Sequence, residues 1–172
     1  MNAVLIGYRG TGKSSVGRLL AEILGLKLIE TDAEIVRRAG MTIPEIVDQH
    51  SWDFFRDLES EVIADVTDEK NQIIDCGGGV VIRPQNVEYL QNSGVIFLLE
   101  SDPEDIIYRI GRSSNRPSLT GDKSFTEEVL EVLEERNPLY QAAADYVFDT
   151  SVDSPRTVAG KIASLYRKIQ EA

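Results

Sequence analysis

The chain has 172 residues, a length typical of one domain, and its 42% hydrophobic and 27% charged residues are typical of a soluble globular protein. A net charge of −11 argues against a general nucleic-acid binder or a protein that binds acidic membranes. The single cysteine, Cys76, excludes an internal disulfide and a cysteine-based zinc site, and the single histidine, His50, excludes a multi-histidine metal site. No apolar run has membrane-spanning length and no secretory segment opens the sequence, so we predict a soluble cytoplasmic protein.

The most specific stretch of the sequence is 7–14, which reads Gly-Tyr-Arg-Gly-Thr-Gly-Lys-Ser. It follows the apolar run Ala3–Ile6 and precedes a helical pattern over Ser14–Leu24. This is the Walker A pattern of nucleoside-triphosphate-binding proteins, placed between a strand and a helix as the motif requires. A plain glycine-rich turn is the alternative interpretation.

The chemistry of this loop follows from its residue types. Glycines permit positive φ, and successive backbone N–H groups at a helix N-terminus can surround a phosphate. Lys13 can reach the β- and γ-phosphates, and the Ser14 hydroxyl can ligate Mg²⁺. The sequence therefore predicts an ATP site whose loop residues are Gly10, Thr11, Gly12, Lys13, Ser14 and Ser15.

Strands and helices are predicted to alternate along the first half of the chain. The expected elements are a helix over 13–24, a strand over 26–29, a helix from Thr31 that Gly40 ends, a short helix to His50 behind a capping box at Thr42 and Glu45, a helix over 52–67 capped by Ser51, and a strand over 72–75. We expect His50 to be solvated at a helix end. The glycines 77–79 that follow form either a loose turn or a surface on which substrate lies close to backbone N–H groups.

The same alternation continues in the second half. The expected elements are a helix over 84–92, a strand over 95–99, a helix to Gly111 opened by a capping box at Ser101 and Glu104, a helix over 124–136, a separate short helix restarted by Pro138, a strand over 146–148, and a last helix opened by Ser154 and Pro155. Between them, 112–123 holds few core-forming side chains but carries Arg112 and Arg116, so we predict a lid there.

This alternation predicts an α/β fold with a parallel sheet between two layers of helices. Ligands of such folds bind at the carboxyl ends of the strands. Four segments lie at the carboxyl ends of the predicted strands, namely Gly7–Ser14, Glu30–Asp32, Asp75–Gly79 and Glu100–Ser101.

Two arginines are candidates for a second pocket. Arg56 lies on a predicted helix with Glu59 three positions later, close enough to pair with it, and Arg136 lies at a predicted helix junction. Taken alone, each is as well explained by a solvated helix surface.

Several short motifs occur together and in order. They are Gly-x-x-Gly-x-Gly-Lys-Ser at 7–14, Thr31-Asp32, Phe55-Arg56-x-x-Glu59, Gly77-Gly78-Gly79, Arg116-Pro117 and Arg136-x-Pro138-Leu139-Tyr140. In this set, which spans essentially the whole chain, the sequence resembles shikimate kinases.

The resemblance implies a P-loop fold of the nucleoside-monophosphate-kinase type, with a five-stranded parallel sheet in the order 2-3-1-4-5. It implies one kinase domain over 1–172, with a substrate-binding subdomain over 31–61 and a lid over 112–123. The implied reaction moves the γ-phosphoryl group of ATP to the 3-hydroxyl of shikimate, with Mg²⁺ as the metal. We expect a monomer whose partners are ATP and shikimate, with no nucleic acid and no membrane.

The resemblance also implies residue roles. Arg56, Arg136 and the backbone of Gly78 and Gly79 would hold the shikimate carboxylate, while Asp32 would bind the ring hydroxyls and Glu59 would orient Arg56. The implied substrate-binding set is Asp32, Arg56, Glu59, Gly77, Gly78, Gly79 and Arg136. Arg109 and Pro155 would flank the adenine and Arg116 would contact the transferring phosphate, so the catalytic set is Lys13, Asp32 and Arg116.

The sequence departs from the family at one position that concerns the metal. The family's acid–Ser/Thr–Asp triplet usually begins with Asp, and here it begins with Glu30. Asp75 ends the third strand, where a carboxylate of the Walker B type would lie. We therefore predict that Ser14 ligates Mg²⁺ directly and that Glu30 and Asp75 act through water, with a structural strand-end role as the alternative for Asp75.

Two other functions remain open from the sequence. The first is another small-molecule kinase of this fold, such as a gluconate-kinase-like enzyme. Two arginines facing a carboxylate do not distinguish shikimate from gluconate, because both are carboxylates that carry hydroxyl groups. The second is a nucleotide switch, since Asp75-Cys76-Gly77-Gly78 matches the GTPase pattern Asp-x-x-Gly. No Asn-Lys-x-Asp guanine signature follows it, and Asn115-Arg116 is not one.

Overall fold

The structure is a computed structural model that describes residues 1–111 and 124–171. In chain order the elements are β1 Asn2–Ile6, α1 Lys13–Leu24, β2 Lys27–Glu30, α2 Thr31–Ala39, α3 Ile43–Gln49, α4 Trp52–Asp68, β3 Gln72–Asp75, a 3₁₀ turn Val80–Ile82, α5 Pro84–Ser93, β4 Gly94–Glu100, α6 Pro103–Gly111, α7 Phe125–Ala143, β5 Tyr146–Asp149 and α8 Pro155–Glu171. The predicted lid over 112–123, with Arg112 and Arg116, lies outside the described residues.

The strands form one parallel sheet in the order β2-β3-β1-β4-β5. This confirms the expected order and α/β class. β1 lies in the centre and pairs with both β3 and β4, so the loop that follows it leaves the sheet at the middle of its carboxyl edge.

The central strand is apolar along its whole length because helices cover both faces of the sheet. Val4 and Ile6 pack on one side, in a cluster with residues of α4, α5, α6 and α7. Ala3 and Leu5 pack on the other side, against α1 and α8. Packing on both faces holds β1 in place, and this sets the position of the loop that follows it.

A third and smaller cluster lies in the segment 31–61 and the continuation of α4 just beyond it. It joins Ile35 of α2, Ile43 and Ile46 of α3, and Phe55 and Val62 of α4. These helices therefore have a hydrophobic cluster of their own beside the main sheet, and the role of 31–61 as a substrate-binding subdomain stays a prediction.

Two local predictions were wrong. Pro138 does not restart a helix but lies inside the continuous α7, whose flanking residues Leu133 and Tyr140 are both buried. Burial on both sides of the proline outweighs the hydrogen bond that it removes. The Ser101 capping box is also absent, because α6 begins at Pro103 and the carbonyl of Asp102 accepts from the amide of Ile106 at 3.1 Å.

The remaining boundaries agree with prediction to within one or two residues. The capping box of Thr42 and Glu45 is formed, and Ser51 caps α4. His50 is exposed at the end of α3, where its ring stacks on Phe54 at 4.2 Å between centroids. Among the described residues, no helix is both long and apolar enough to cross a membrane.

Candidate active site

The loop between β1 and α1 has the backbone that the Walker pattern predicts. Gly7, Gly10 and Gly12 have φ of 141°, 82° and 90°, a region that side chains rarely permit. A Cβ at Gly7 would also lie 2.3 Å from the carbonyl oxygen of Leu99. The loop is therefore specified both by its own conformation and by close contact with β4.

Lys13 spans this loop from the first turn of α1. Its Nζ donates to the carbonyl oxygens of Gly7 and Tyr8, each at 2.9 Å. The Thr11 hydroxyl donates to the same Tyr8 carbonyl at 2.8 Å. The ammonium group is thus held over the amide cradle, where the phosphates of a nucleotide would lie.

A cleft of about 520 Å³ opens above the loop, and we call it the Walker cleft. Its lining includes most of the predicted nucleotide-binding residues, namely Gly10, Gly12, Lys13, Ser14, Ser15 and Arg109. Thr11 is buried beneath the loop, and Pro155 is exposed at the start of α8, outside the lining of the cleft. The adenine-flanking role of Pro155 stays a prediction.

Arg109 is fixed beside the phosphate loop. Its guanidinium donates to the carbonyl of Gly10 at 3.2 Å and to the hydroxyl and carbonyl oxygens of Thr150 at 3.3 and 3.0 Å. The Thr150 hydroxyl in turn donates to the Thr11 carbonyl at 2.8 Å. These contacts connect α6, the loop and the segment after β5 at one wall of the cleft.

Three oxygen-bearing side chains meet at the other end of the loop. The Ser14 hydroxyl donates to Asp75 Oδ2 at 2.7 Å, and Asp75 is directly opposite Glu30 in the register of β2 and β3. Burial raises the pKa of Asp75, while Lys13 and the Ser14 hydrogen bond oppose that rise. Glu30 is more exposed and pairs with Arg18 at 3.2 Å.

A second pocket lies beside the cleft and contains both predicted arginines, so we call it the arginine pocket. Arg56 NH1 donates to Glu59 Oε2 at 2.7 Å, as the three-residue spacing predicted. Glu59 is fully buried, and burial raises its pKa while Arg56 opposes the rise. The Arg56 guanidinium also lies 5.7 and 5.0 Å from the ring centroids of Trp52 and Phe55.

The glycines after β3 form one wall of this pocket. Glycine is needed at these positions because the backbone comes very close to neighbouring side chains. None of Gly77, Gly78 and Gly79 has positive φ. A Cβ at Gly79 would lie 2.1 Å from Arg56 NH2, and one at Gly77 would lie 2.5 Å from Asp32 Oδ1. The glycines therefore bring the backbone against the side chains of Arg56 and Asp32.

Helix α7 completes the arginine pocket from the opposite side. Arg136 NH1 donates to the carbonyl of Gly78 at 3.3 Å, and the Tyr140 hydroxyl donates to the same oxygen. Burial raises the pKa of Tyr140 to about 12, so its hydroxyl stays protonated and remains a donor. The two side chains anchor α7 to the glycine turn.

Asp32 lies where the two cavities meet. It is the second residue of α2, and it lines both the Walker cleft and the arginine pocket. The neighbouring Thr31 hydroxyl accepts from the amide of Gly77 at 3.1 Å. The start of α2 is thereby fixed to the glycine turn, with the Asp32 carboxylate at the junction.

One site residue was missed from the sequence. Arg9 lines both cavities, whereas the Walker pattern leaves the residue type at its position unspecified. An arginine among glycines in a phosphate loop was the available signal. Its partner Glu128 lies on α7, at a separation that no local pattern indicates.

The fold and the loop define a P-loop nucleotide-binding protein of the kinase type. A family model described as shikimate kinase matches residues 9–167. A shikimate kinase of Dehalococcoides mccartyi is 41% identical over 169 residues, covering 98% of this chain and 95% of that protein. One from Thermodesulfovibrio yellowstonii is 41% identical over 168 residues, covering 98% and 96%.

Solved structures agree with these matches. A shikimate kinase from Acinetobacter baumannii in complex with shikimate has a TM-score of 0.90 at 35% identity, covering 95% of this chain and 91% of that one. A shikimate kinase from Aquifex aeolicus has a TM-score of 0.83 at 29% identity, covering 98% and 96%. The chain belongs to the shikimate kinase family.

Proposed function

We propose that the protein transfers the γ-phosphoryl group of ATP to the 3-hydroxyl of shikimate, giving ADP and shikimate 3-phosphate. The observation that carries the proposal is the meeting of the Walker cleft with the arginine pocket at Asp32, Gly77 and Gly78. A phosphate-binding loop on one side and paired arginines on the other suit an anionic acceptor that carries hydroxyl groups. The shikimate complex of the Acinetobacter relative supports this choice.

The shikimate carboxylate would bind to the two arginines of the arginine pocket. A planar carboxylate matches the fork of a guanidinium, and Glu59 holds the Arg56 fork in one orientation. Arg136 and the amides of Gly78 and Gly79 would complete the contact. The arginine pocket measures only about 20 Å³, room for about one water, so the ring would extend into the Walker cleft or require side chains to move outward.

Asp32 would orient the acceptor hydroxyl and take its proton. The hydroxyl oxygen forms a bond to the γ-phosphorus, the bond from that phosphorus to the bridging oxygen breaks, and ADP leaves with the electron pair. Lys13 stabilises the phosphate charge during this exchange. Phosphoryl transfer depends on positioning and charge more than on covalent catalysis, which fits the side chains present.

The donor set at Ser14 fits Mg²⁺. A hydroxyl lies 2.7 Å from a buried carboxylate, and the described residues contain no group of three or more His, Cys, Asp or Glu that could hold a metal alone. Mg²⁺ commonly binds through one or two protein groups, water and substrate phosphates. Ser14 would ligate it, Asp75 and Glu30 would act through water, and the bound ion would neutralise phosphate charge.

The remaining parts of the proposal rest on the sequence and its family resemblance. These are the lid over 112–123, the contact of Arg116 with the transferring phosphate, the contact of Pro155 with adenine, a monomeric state and a cytoplasmic location.

The deciding experiment is ADP release from ATP and Mg²⁺ with and without shikimate. We expect release to depend on shikimate and to yield shikimate 3-phosphate, identified by mass spectrometry. A parallel panel with gluconate and with GTP tests the two alternatives. Turnover of gluconate but not shikimate, or GTP hydrolysis that no acceptor stimulates, would contradict the proposal.

A further inference from the structure

Arg9 occupies a position between the two cavities that no other described cation shares. Lys13 and Arg109 line the Walker cleft only, and Arg56 and Arg136 line the arginine pocket only. Within residues 1–111 and 124–171, Arg9 is the one Lys or Arg that lines both. Its backbone is also close to the glycine turn, since a Cβ at Gly78 would lie 3.2 Å from the amide nitrogen of Arg9.

The Arg9 side chain is held in place from α7. Its NH2 lies 3.5 Å from Glu128 Oε1, and the side chains are only 15% and 4% exposed. The guanidinium carbon lies 5.9 Å from the Tyr8 ring centroid and 6.0 Å from that of Phe125. A buried charge needs a partner, and Glu128 together with two aromatic rings supplies one.

This environment leaves part of the guanidinium unused. Arg9 Nε is buried and has no hydrogen-bond partner among the described residues. An unused buried donor is costly unless something binds it. A phosphate oxygen is the acceptor that suits a guanidinium at the edge of a phosphate loop.

We propose that Arg9 is a further catalytic residue, which binds the phosphoryl group as it passes from ATP to shikimate and then binds the phosphate of the product. The inference rests on the proposed function. The phosphoryl group begins in the Walker cleft, bonded to the bridging oxygen that leaves with ADP, and ends bonded to the shikimate oxygen beside Asp32, where the two cavities meet. A cation that lines both cavities can contact it before and after the transfer.

Glu128 acts in this scheme as a positioning residue. It lies in the first turns of α7, a few residues after the predicted lid, and it fixes the direction of the Arg9 fork. Since Glu128 lines neither cavity, we expect it to act on the substrate through Arg9, and its removal should change kcat little once Arg9 is gone.

The test compares Arg9→Met with Arg9→Lys and with Arg37→Met, a matched control whose side chain is 71% exposed on α2. We expect Arg9→Met to lower kcat by about 10- to 100-fold and to weaken shikimate 3-phosphate binding by about 10-fold. Affinity for shikimate should change by less than about 3-fold, since that ligand lacks the phosphate. Arg9→Lys should recover part of kcat because it keeps the charge.

Loss of one partner of a buried ion pair can destabilise the fold, so Glu128→Gln and Arg9→Met/Glu128→Gln are included, with melting temperatures for all variants. We expect Glu128→Gln to lower kcat by about 3- to 10-fold and the double variant to match Arg9→Met in kcat. Parent-like kcat and product affinity in the double variant would overturn the proposal and make the pair structural. A parent enzyme that does not phosphorylate shikimate would instead contradict the proposed function.

Discussion

The two halves of the site are built in different ways. The phosphate loop is eight consecutive residues, 7–14, whose glycines adopt positive φ and whose lysine closes onto the loop itself. The arginine pocket draws on α2, α4, the glycine turn after β3 and α7, with contacts that join residues as far apart as Gly78 and Arg136. One half is determined locally, and the other exists only after the chain has folded.

This difference has a consequence for substitutions. In the loop a glycine is needed for its backbone angle, so a change there alters the phosphate site directly. In the glycine turn a glycine is needed for the space beside it, and a change there acts through Arg56 or Asp32. The two halves should therefore respond separately, the loop in kcat and ATP binding and the pocket in shikimate binding.

The largest effect is expected from Lys13→Ala. The phosphates lose the cation that is fixed over the loop, so kcat should fall by about 10³-fold while shikimate affinity stays near that of the parent. Steady-state ADP release and a shikimate titration measure the two quantities, with the exposed Lys27→Ala as the control. Near-normal kcat in Lys13→Ala would place the active site elsewhere.

Asp32→Asn should come next, with kcat lowered by roughly 10²-fold through loss of the group that orients and deprotonates the hydroxyl. ATP binding and the melting temperature should change little. Glu34→Gln, on the same helix but paired with Arg37 and Arg38, is the control. A defect confined to KM for shikimate would reduce Asp32 to a binding residue and place it with the pocket alone.

Arg56→Ala and Arg136→Ala should each weaken shikimate binding by roughly 1.5–3 kcal/mol, with little change in ATP affinity. Replacing either arginine with lysine should also weaken shikimate binding, because an ammonium group cannot reproduce the planar fork of a guanidinium. Calorimetric titration with each ligand separates the two effects. If shikimate titrations of both alanine variants overlay the parent, the carboxylate assignment is wrong.

Gly79→Ala tests the pocket without removing any charge. The new Cβ would displace the end of the Arg56 side chain, so shikimate affinity should fall by about 10-fold with the fold retained. Gly160→Ala is the control, because Gly160 lies on α8 and a Cβ there would have nothing within 4 Å. This substitution should stabilise the protein by about 0.5–1 kcal/mol. Parent-like shikimate affinity in Gly79→Ala would show that the glycine is not needed for space.

The smallest effects are expected at the metal. Glu30→Gln and Asp75→Asn should each raise the Mg²⁺ concentration for half-maximal activity by a few-fold, about 2 to 5, because one carboxylate can compensate for the other. The double variant should raise this Mg²⁺ concentration far more than the two single effects combined. Strict additivity would mean that the two side chains do not share the ion, and an unchanged Mg²⁺ dependence for Asp75→Asn would leave it a structural residue.

Most of the fold could be predicted because its signals are local and repeated. Periodicity located the helices and strands to within one or two residues, and the alternation of types indicated a parallel sheet. The errors at Ser101 and Pro138 have different causes. At Pro138 the usual local role gave way to tertiary packing, since α7 is buried on both sides of the proline. At Ser101 the helix begins one residue later than the capping pattern indicated, at Pro103.

The candidate site divides in the same way. The phosphate loop, Lys13 and the pairing of Arg56 with Glu59 were predicted from spacing, and the structure shows that geometry. The ion pair of Arg9 with Glu128 could not be, because 119 positions separate the two residues and nothing in either local pattern indicates the other.

The sequence by itself determined the phosphate loop, the α/β class and, through its ordered motifs, the family. It could do so because backbone angles and hydrophobic periodicity depend on neighbours a few residues away. Only the tertiary structure decided that Glu30 faces Asp75, that the glycine turn makes room for Arg56, and that Arg9 lies between the two cavities. Those relations depend on which strands pair and which helices pack, and they form only when distant segments bury their apolar surfaces together.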